Sequence, residues 1–142
     1  MDTTPEYIKM CEKAEEIQKT WNPLDGDLHI LVDDSYKSGY SDIRLTYGIT
    51  SLREERKVAW LTRSSSTLGV IWLPRQDQLQ EMMKDGLSTG IFGHTSRMVC
   101  YFEEHYKYRN SLGIDNMEQL WLAFVMKELY SKQWNGSEWV PL

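Results

Sequence analysis

The turn of chain that follows Pro74 is dense in side chains that form hydrogen bonds. Its guanidinium, carboxylate and amides make up the first candidate binding surface, which consists of Arg75, Asp77, Gln78 and Gln80. Amide side chains both donate and accept hydrogen bonds, so this surface could bind a peptide backbone or the edge of a nucleobase. The alternative is a solvated helix face, in which Asp77 is stabilised by its position near the helix N-terminus.

The C-terminal tail is the second candidate for binding, because it carries Trp134 and Trp139 on either side of an Asn-Gly pair. Asn-Gly is typical of a tight turn. Two indoles are unfavourable to leave in water. We therefore expect the tail either to fold back onto the core or to dock on a partner, which would be another protein or a second copy of the chain.

Catalytic chemistry would have to be assembled from residues that lie far apart in the sequence. No two of the three histidines are closer than 11 residues, so none forms the i,i+4 pair typical of a metal-binding helix. The alternative function is a small hydrolase whose site is built from Asp77, His94 and either Glu104 or His105. Only the tertiary structure could bring those side chains together.

Four aspartates surround one predicted strand, and carboxylates are ligands that divalent cations prefer. They are Asp25, Asp27, Asp33 and Asp34. Their spacing lacks the glycine and the final glutamate of a calcium-binding loop. Turn formation accounts for Asp25 and Asp27, because aspartate favours turns. We therefore predict no metal site and no cofactor.

The charge balance argues against nucleic-acid binding. The chain has 16 basic and 21 acidic residues and a net charge of −5, whereas nucleic-acid-binding proteins neutralise phosphates with Lys and Arg. A basic stripe leaves a nucleic-acid-binding regulator as a third hypothesis. It consists of Arg53, Arg56, Lys57 and Arg63.

Length and composition predict one globular domain that spans residues 1–142. The chain has 142 residues, of which 41% are hydrophobic, and a chain of this size buries roughly 68–70% of its unfolded surface. Cys11 and Cys100 are expected to be free, buried thiols. The sequence opens without the basic and apolar stretch of an export signal, and it has no apolar run long enough to span a membrane. We therefore expect a cytoplasmic protein that has no membrane contact.

The hydrophobic periodicity predicts an α+β fold. We expect an antiparallel sheet of three to four strands packed against a cluster of about four helices, in the order α-β-β-β-β-α-α-α. Predicted strands are 28–32, 43–49, 58–62 and 69–73. Predicted helices are 5–20, which Thr4 caps, 74–85, one that Thr95 or Ser96 caps and that ends at Gly113, and one that Asp115 caps.

Three stretches of the sequence resemble small uncharacterised proteins encoded by phages and prophages of Gram-positive bacteria. They are EYIKMCEKAEEIQKTWNPLDGD, IWLPRQDQLQEM and MEQLWLAFVMKELYSKQWNGSEW, and together they cover just under half of the chain. The resemblance implies a small protein of a mobile element, working in the host cytosol, and it implies no activity. We therefore expect a non-enzymatic accessory or protein-interaction protein of a phage or prophage.

Overall fold

The computed structural model describes residues 2–32, 43–45, 69–84, 90–106 and 114–142. Within these ranges the chain forms five helices and five strands. The helices are α1 (Pro5–Lys13), α2 (Glu15–Thr20), α3 (Gln76–Met82), α4 (Gly90–Tyr106) and α5 (Met117–Tyr130). The strands are β1 (Leu28–Val32), β2 (Ile43–Leu45), β3 (Gly69–Leu73), β4 (Lys132–Trp134) and β5 (Trp139–Pro141).

The predicted α+β class is confirmed, but the predicted single sheet and element order are wrong. Strand β1 pairs antiparallel with both β2 and β3, and β4 and β5 form a separate sheet after the last helix. The tail was expected to make a turn at Asn135-Gly136. The residues on either side of this turn also pair as strands β4 and β5, in which Trp134 lies opposite Trp139. The predicted strand 58–62 and the second half of strand 43–49 lie outside the described residues.

The predicted helix 5–20 is two helices, which meet at Ala14. Thr4 caps the first as expected, because its hydroxyl accepts a hydrogen bond from the backbone N–H of Tyr7. Ala14 leaves the helical conformation, with φ −84° and ψ 62°. The amide of Gln18 donates to the carbonyls of both Cys11 and Trp72, and its oxygen accepts from the N–H of Trp72. Gln18 therefore connects the helix break at Ala14 to strand β3. Local hydrophobic periodicity does not reveal this contact.

Two other predicted helix boundaries are corrected. Helix α4 begins at Gly90, and the hydroxyl of Thr95 donates to the carbonyl of Ile91 inside the helix instead of capping its start. Helix α5 is capped by Asn116 in place of Asp115, since the Asn116 side chain accepts from the N–H of Gln119. The predicted end of α4 at Gly113 lies outside the described residues.

Helix α5 is the centre of the described core. Six consecutive residues, 121–126, are buried, which is typical of a helix that is covered on all sides. Helices α1, α3 and α4 and strand β4 contact it. Among the residues that the structure describes, no helix is both long enough and apolar enough to cross a membrane.

The end of α5 generates the first prediction. Ser131 adopts the left-handed conformation, with φ 54° and ψ 42°, and its N–H donates to the carbonyl of Lys127. A side chain is strained in this conformation and glycine is not. We expect Ser131→Gly to raise the free energy of unfolding by about 0.5–1 kcal/mol. Ser96→Gly, inside α4, is the matched control and should lower it by about 0.5 kcal/mol. Urea unfolding of both variants measures the effect, and the same sign for both would contradict the explanation.

Candidate functional site

Asp27 is the centre of a polar junction between the first helices and α3. Its side chain is 2% exposed. Its carboxylate accepts hydrogen bonds from Trp21 Nε1 at 2.8 Å, the Leu24 backbone N–H at 2.9 Å and Gln78 Nε2 at 2.5 Å. The Arg75 guanidinium lies 3.7 Å from the same carboxylate. The buried charge is therefore compensated by donors from two separate parts of the chain, as a buried carboxylate requires.

Three of the four residues of the first predicted binding surface take part in this junction. The oxygen of the Gln78 amide accepts from the Arg75 backbone N–H at 2.9 Å, while its nitrogen donates to Asp27. The Arg75 guanidinium donates to the carbonyl of Gly26 at 3.1 Å and to the Asp77 carboxylate at 3.0 Å. This hydrogen bond from Arg75 holds the pKa of the Asp77 carboxyl below its ordinary value. Much of the predicted surface therefore fastens α3 to the turn before β1.

The fourth predicted residue, Gln80, is half-buried on the same helix and is not part of the junction. Asp77 is exposed, so its pair with Arg75 lies at the protein surface. Such exposed pairs contribute about 0–1 kcal/mol to stability. The sequence showed that this turn is polar. It did not show that Arg75 and Gln78 bind Gly26 and Asp27, which lie some 50 positions away in the chain.

A groove of about 320 Å³ lies beside the junction, and we call it the Trp21–Trp72 groove. The two indoles that name it stack with ring centroids 5.7 Å apart and an angle of 4° between their planes. Both are buried, so they form the inner wall, while Leu24 is 56% exposed at the rim. The lining residues are Thr20, Trp21, Asn22, Leu24, Asp27, Trp72, Gln78, Glu81 and Met82.

The lining of the groove combines apolar surface with negative charge. Its charged residues are the carboxylates of Asp27 and Glu81. Asp27 is already compensated within the junction. Glu81 forms an ion pair with Lys84, and both side chains are about two-thirds exposed. Because an exposed pair of this kind contributes little to stability, Lys84 is held only weakly on Glu81.

The second predicted binding surface is part of the core. Trp134 and Trp139 are 1% and 8% exposed, and their ring centroids lie 5.0 Å apart. The Nε1 of Trp134 donates to the Glu6 carboxylate at 3.0 Å, and the Nε1 of Trp139 donates to the carbonyl of Met10 at 2.9 Å. Of the two alternatives for the tail, the structure shows the one in which it folds back.

The residues of the hydrolase hypothesis are described only in part. His94 is buried on α4, and its Nδ1 has no hydrogen-bond partner among the residues that the structure describes. Asp77 is exposed on α3, where Arg75 pairs with it. The side chains of Glu104 and His105, and the basic stripe of residues 53–63, lie outside the described residues. Within the described ranges, no group of three or more His, Cys, Asp or Glu side chains is arranged to hold a metal ion.

Comparisons with known proteins add no counterpart: no family model, no curated protein and no solved structure matches the chain. Sequence reasoning missed the Trp21–Trp72 groove because Trp21 follows the predicted helix 5–20, whereas Trp72 belongs to the predicted strand 69–73, and nothing in the sequence brings these two elements together. The two tryptophans share one feature in the sequence: each lies two residues before a proline, in Trp21-Asn22-Pro23 and in Trp72-Leu73-Pro74.

Asp27 provides the second prediction. We expect Asp27→Asn to lower the free energy of unfolding by about 2–3 kcal/mol, because an amide replaces one acceptor oxygen with a donor that faces other donors. Asp77→Asn is the matched control and should change it by less than about 0.5 kcal/mol, since that side chain is exposed. Urea unfolding at pH 7 measures both. Equal losses for the two variants would show that Asp27 does not stabilise the junction.

The two cysteines provide the third prediction. Burial raises the pKa of the Cys11 thiol far above its ordinary value, whereas Cys100, which was expected to be buried, is exposed on α4. Only the thiolate reacts with alkylating reagents. We therefore expect iodoacetamide at pH 8 to label Cys100 in the folded protein and Cys11 only after unfolding.

Mass spectrometry of the Cys100→Ser and Cys11→Ser variants assigns each label. Because the pKa of Cys11 is raised, increasing the pH from 7 to 9 should leave its labelling in the folded Cys100→Ser variant unchanged. Labelling of native Cys11 at the rate of the unfolded chain would contradict its burial.

Proposed function

We propose that this protein is a non-enzymatic accessory protein of a phage or prophage, and that it binds a partner protein in the Trp21–Trp72 groove. The observation that carries the proposal is the combination, in one groove, of a stacked indole pair, an exposed Leu24 and a replaceable ion pair at Glu81. Apolar pockets with a few convergent polar groups are the usual sites of recognition.

The chemistry of the groove favours a lysine or arginine side chain of the partner, next to an apolar residue. The aliphatic part of such a side chain packs well on apolar surface while its charged end stays at the rim. Leu24 and Met82 provide that surface, and Glu81 provides the counter-charge. The nearby indoles add a cation–π attraction of about 0.5–2 kcal/mol if the cation lies over a ring.

The phage setting rests on the resemblance of three stretches of the sequence, and these stretches coincide with the proposed binding surface. The first two stretches, residues 6–27 and 71–82, contain every residue that lines the groove. The third stretch, residues 117–139, forms α5 and most of the C-terminal hairpin, which pack against them. The resemblance therefore includes the proposed binding surface as well as the core that supports it.

A selection from a random peptide library displayed on filamentous phage tests the proposal, and the selected peptides are then measured by fluorescence polarisation. We expect peptides with Lys or Arg beside an apolar residue. Glu81→Lys should weaken their binding about tenfold or more, because it replaces attraction with repulsion. Leu24→Ser should weaken it as well, by removing apolar contact.

The matched controls are Glu103→Lys and Leu129→Ser, which make the same changes at exposed positions that do not line the groove. Binding by these controls should equal that of the wild type. Peptides without a basic residue, or equal binding by all variants, would overturn the proposal. Mass spectrometry of the peptides after incubation tests the alternative function, since cleaved peptides would favour the hydrolase and intact peptides the binding protein.

A further inference from the structure

Helix α4 has a second exposed apolar surface, which we call the α4 strip. Ile91, Phe92 and Val99 are 53%, 87% and 46% exposed. With three smaller side chains they line a shallow concavity of about 390 Å³. The strip consists of Ile91, Phe92, Thr95, Ser96, Val99 and Cys100. Its residues form two parallel rows at i, i+4, i+8 spacing, which are the ridges by which helices pack on one another.

The strip has an internal symmetry. Ile91 and Cys100 lie at equal distances from the point between Thr95 and Ser96, and so do Phe92 and Val99. When two such strips meet antiparallel about a two-fold axis through that point, each large side chain lies opposite a smaller one. The centre then holds only Thr95 and Ser96, which are short enough to let the helices approach closely.

We propose that the α4 strip is the interface at which two copies of this chain form an antiparallel dimer. A two-fold interface requires a surface that is complementary to itself, with residue i of one copy facing residue j of the other and the reverse. The strip meets that requirement, because its large side chains lie at one end and face the smaller side chains at the other end of the second copy. The strip lies on a different helix from the Trp21–Trp72 groove, so the proposal does not rest on the proposed function.

The size of the strip determines how strong the dimer is. Three exposed apolar side chains offer on the order of 300 Å² per copy, if each contributes roughly 100 Å². Doubled over two copies, this remains below the ~1,200 Å² of the smallest stable interfaces. The proposed dimer is therefore weak and forms at high protein concentration.

Disulfide formation tests the arrangement of the two helices. The register places position 91 of one copy opposite Cys100 of the other. Within one helix these positions are about 13.5 Å apart, too far for a bond within the chain. The two native Cys100 residues are offset by the same length along the helices and are also separated by the distance between the helices, so they lie even farther apart. We expect mild oxidation of Ile91→Cys to yield a covalent dimer rapidly. The wild type and Lys84→Cys, whose thiol is exposed in the turn after α3, should form one at least ten times more slowly.

Sedimentation velocity provides a measurement that needs no introduced cysteine. We expect the mean sedimentation coefficient of the wild type to rise with concentration, and this rise to disappear in Phe92→Glu. Phe92 is 87% exposed, so the variant should keep its fold, which circular dichroism checks. A wild type that stays monomeric at millimolar concentration overturns the proposal. The proposal is also overturned if another protein or another part of this chain covers the α4 strip. Equal cross-linking of Ile91→Cys and Lys84→Cys overturns the register.

Discussion

The burial of helix α5 is the constraint on which the described structure depends. Its middle segment, residues 121–126, is covered on every side, whereas a surface helix needs only one apolar stripe. Covering it requires the N-terminal helix, α3, α4 and the C-terminal hairpin together. The hairpin supplies two indoles, each of which satisfies its N–H on α1. The two ends of the chain are thus held together around one helix, and the groove is formed where the remaining elements meet.

Buried polar groups determine how these elements are joined. Asp27 links the turn before β1 to α3, Gln18 links the helix break to β3, and Asp2 accepts hydrogen bonds from Asn116 and Gln119 at the start of α5. Each link joins segments that are far apart in the sequence. A buried polar group without a partner is destabilising, so these links specify one arrangement among the many that apolar packing alone would allow.

The two proposed surfaces differ in the chemistry that they offer. The Trp21–Trp72 groove has aromatic walls and an exposed carboxylate at Glu81, and we propose a cationic side chain as its occupant. The α4 strip is apolar with small polar residues at its centre, and we propose a second copy of the chain as its occupant. A dimer through α4 carries two grooves. A partner that presents two basic segments would then bind more tightly than one with a single segment, because the second contact becomes intramolecular.

Local signals allowed the sequence by itself to determine the α+β class, strands β1 and β3, the Thr4 cap and helix α5, because periodicity, capping and turn residues act within a few positions. Arg75 and Gln78 were recognised as hydrogen-bonding residues, but their partners lie in the turn around Asp27. Only the tertiary structure decided the break at Ala14, the Asn116 cap, the burial of Trp134 and the stack of Trp21 on Trp72. Each of these depends on groups that are distant in the chain, and such contacts form when the whole core is packed.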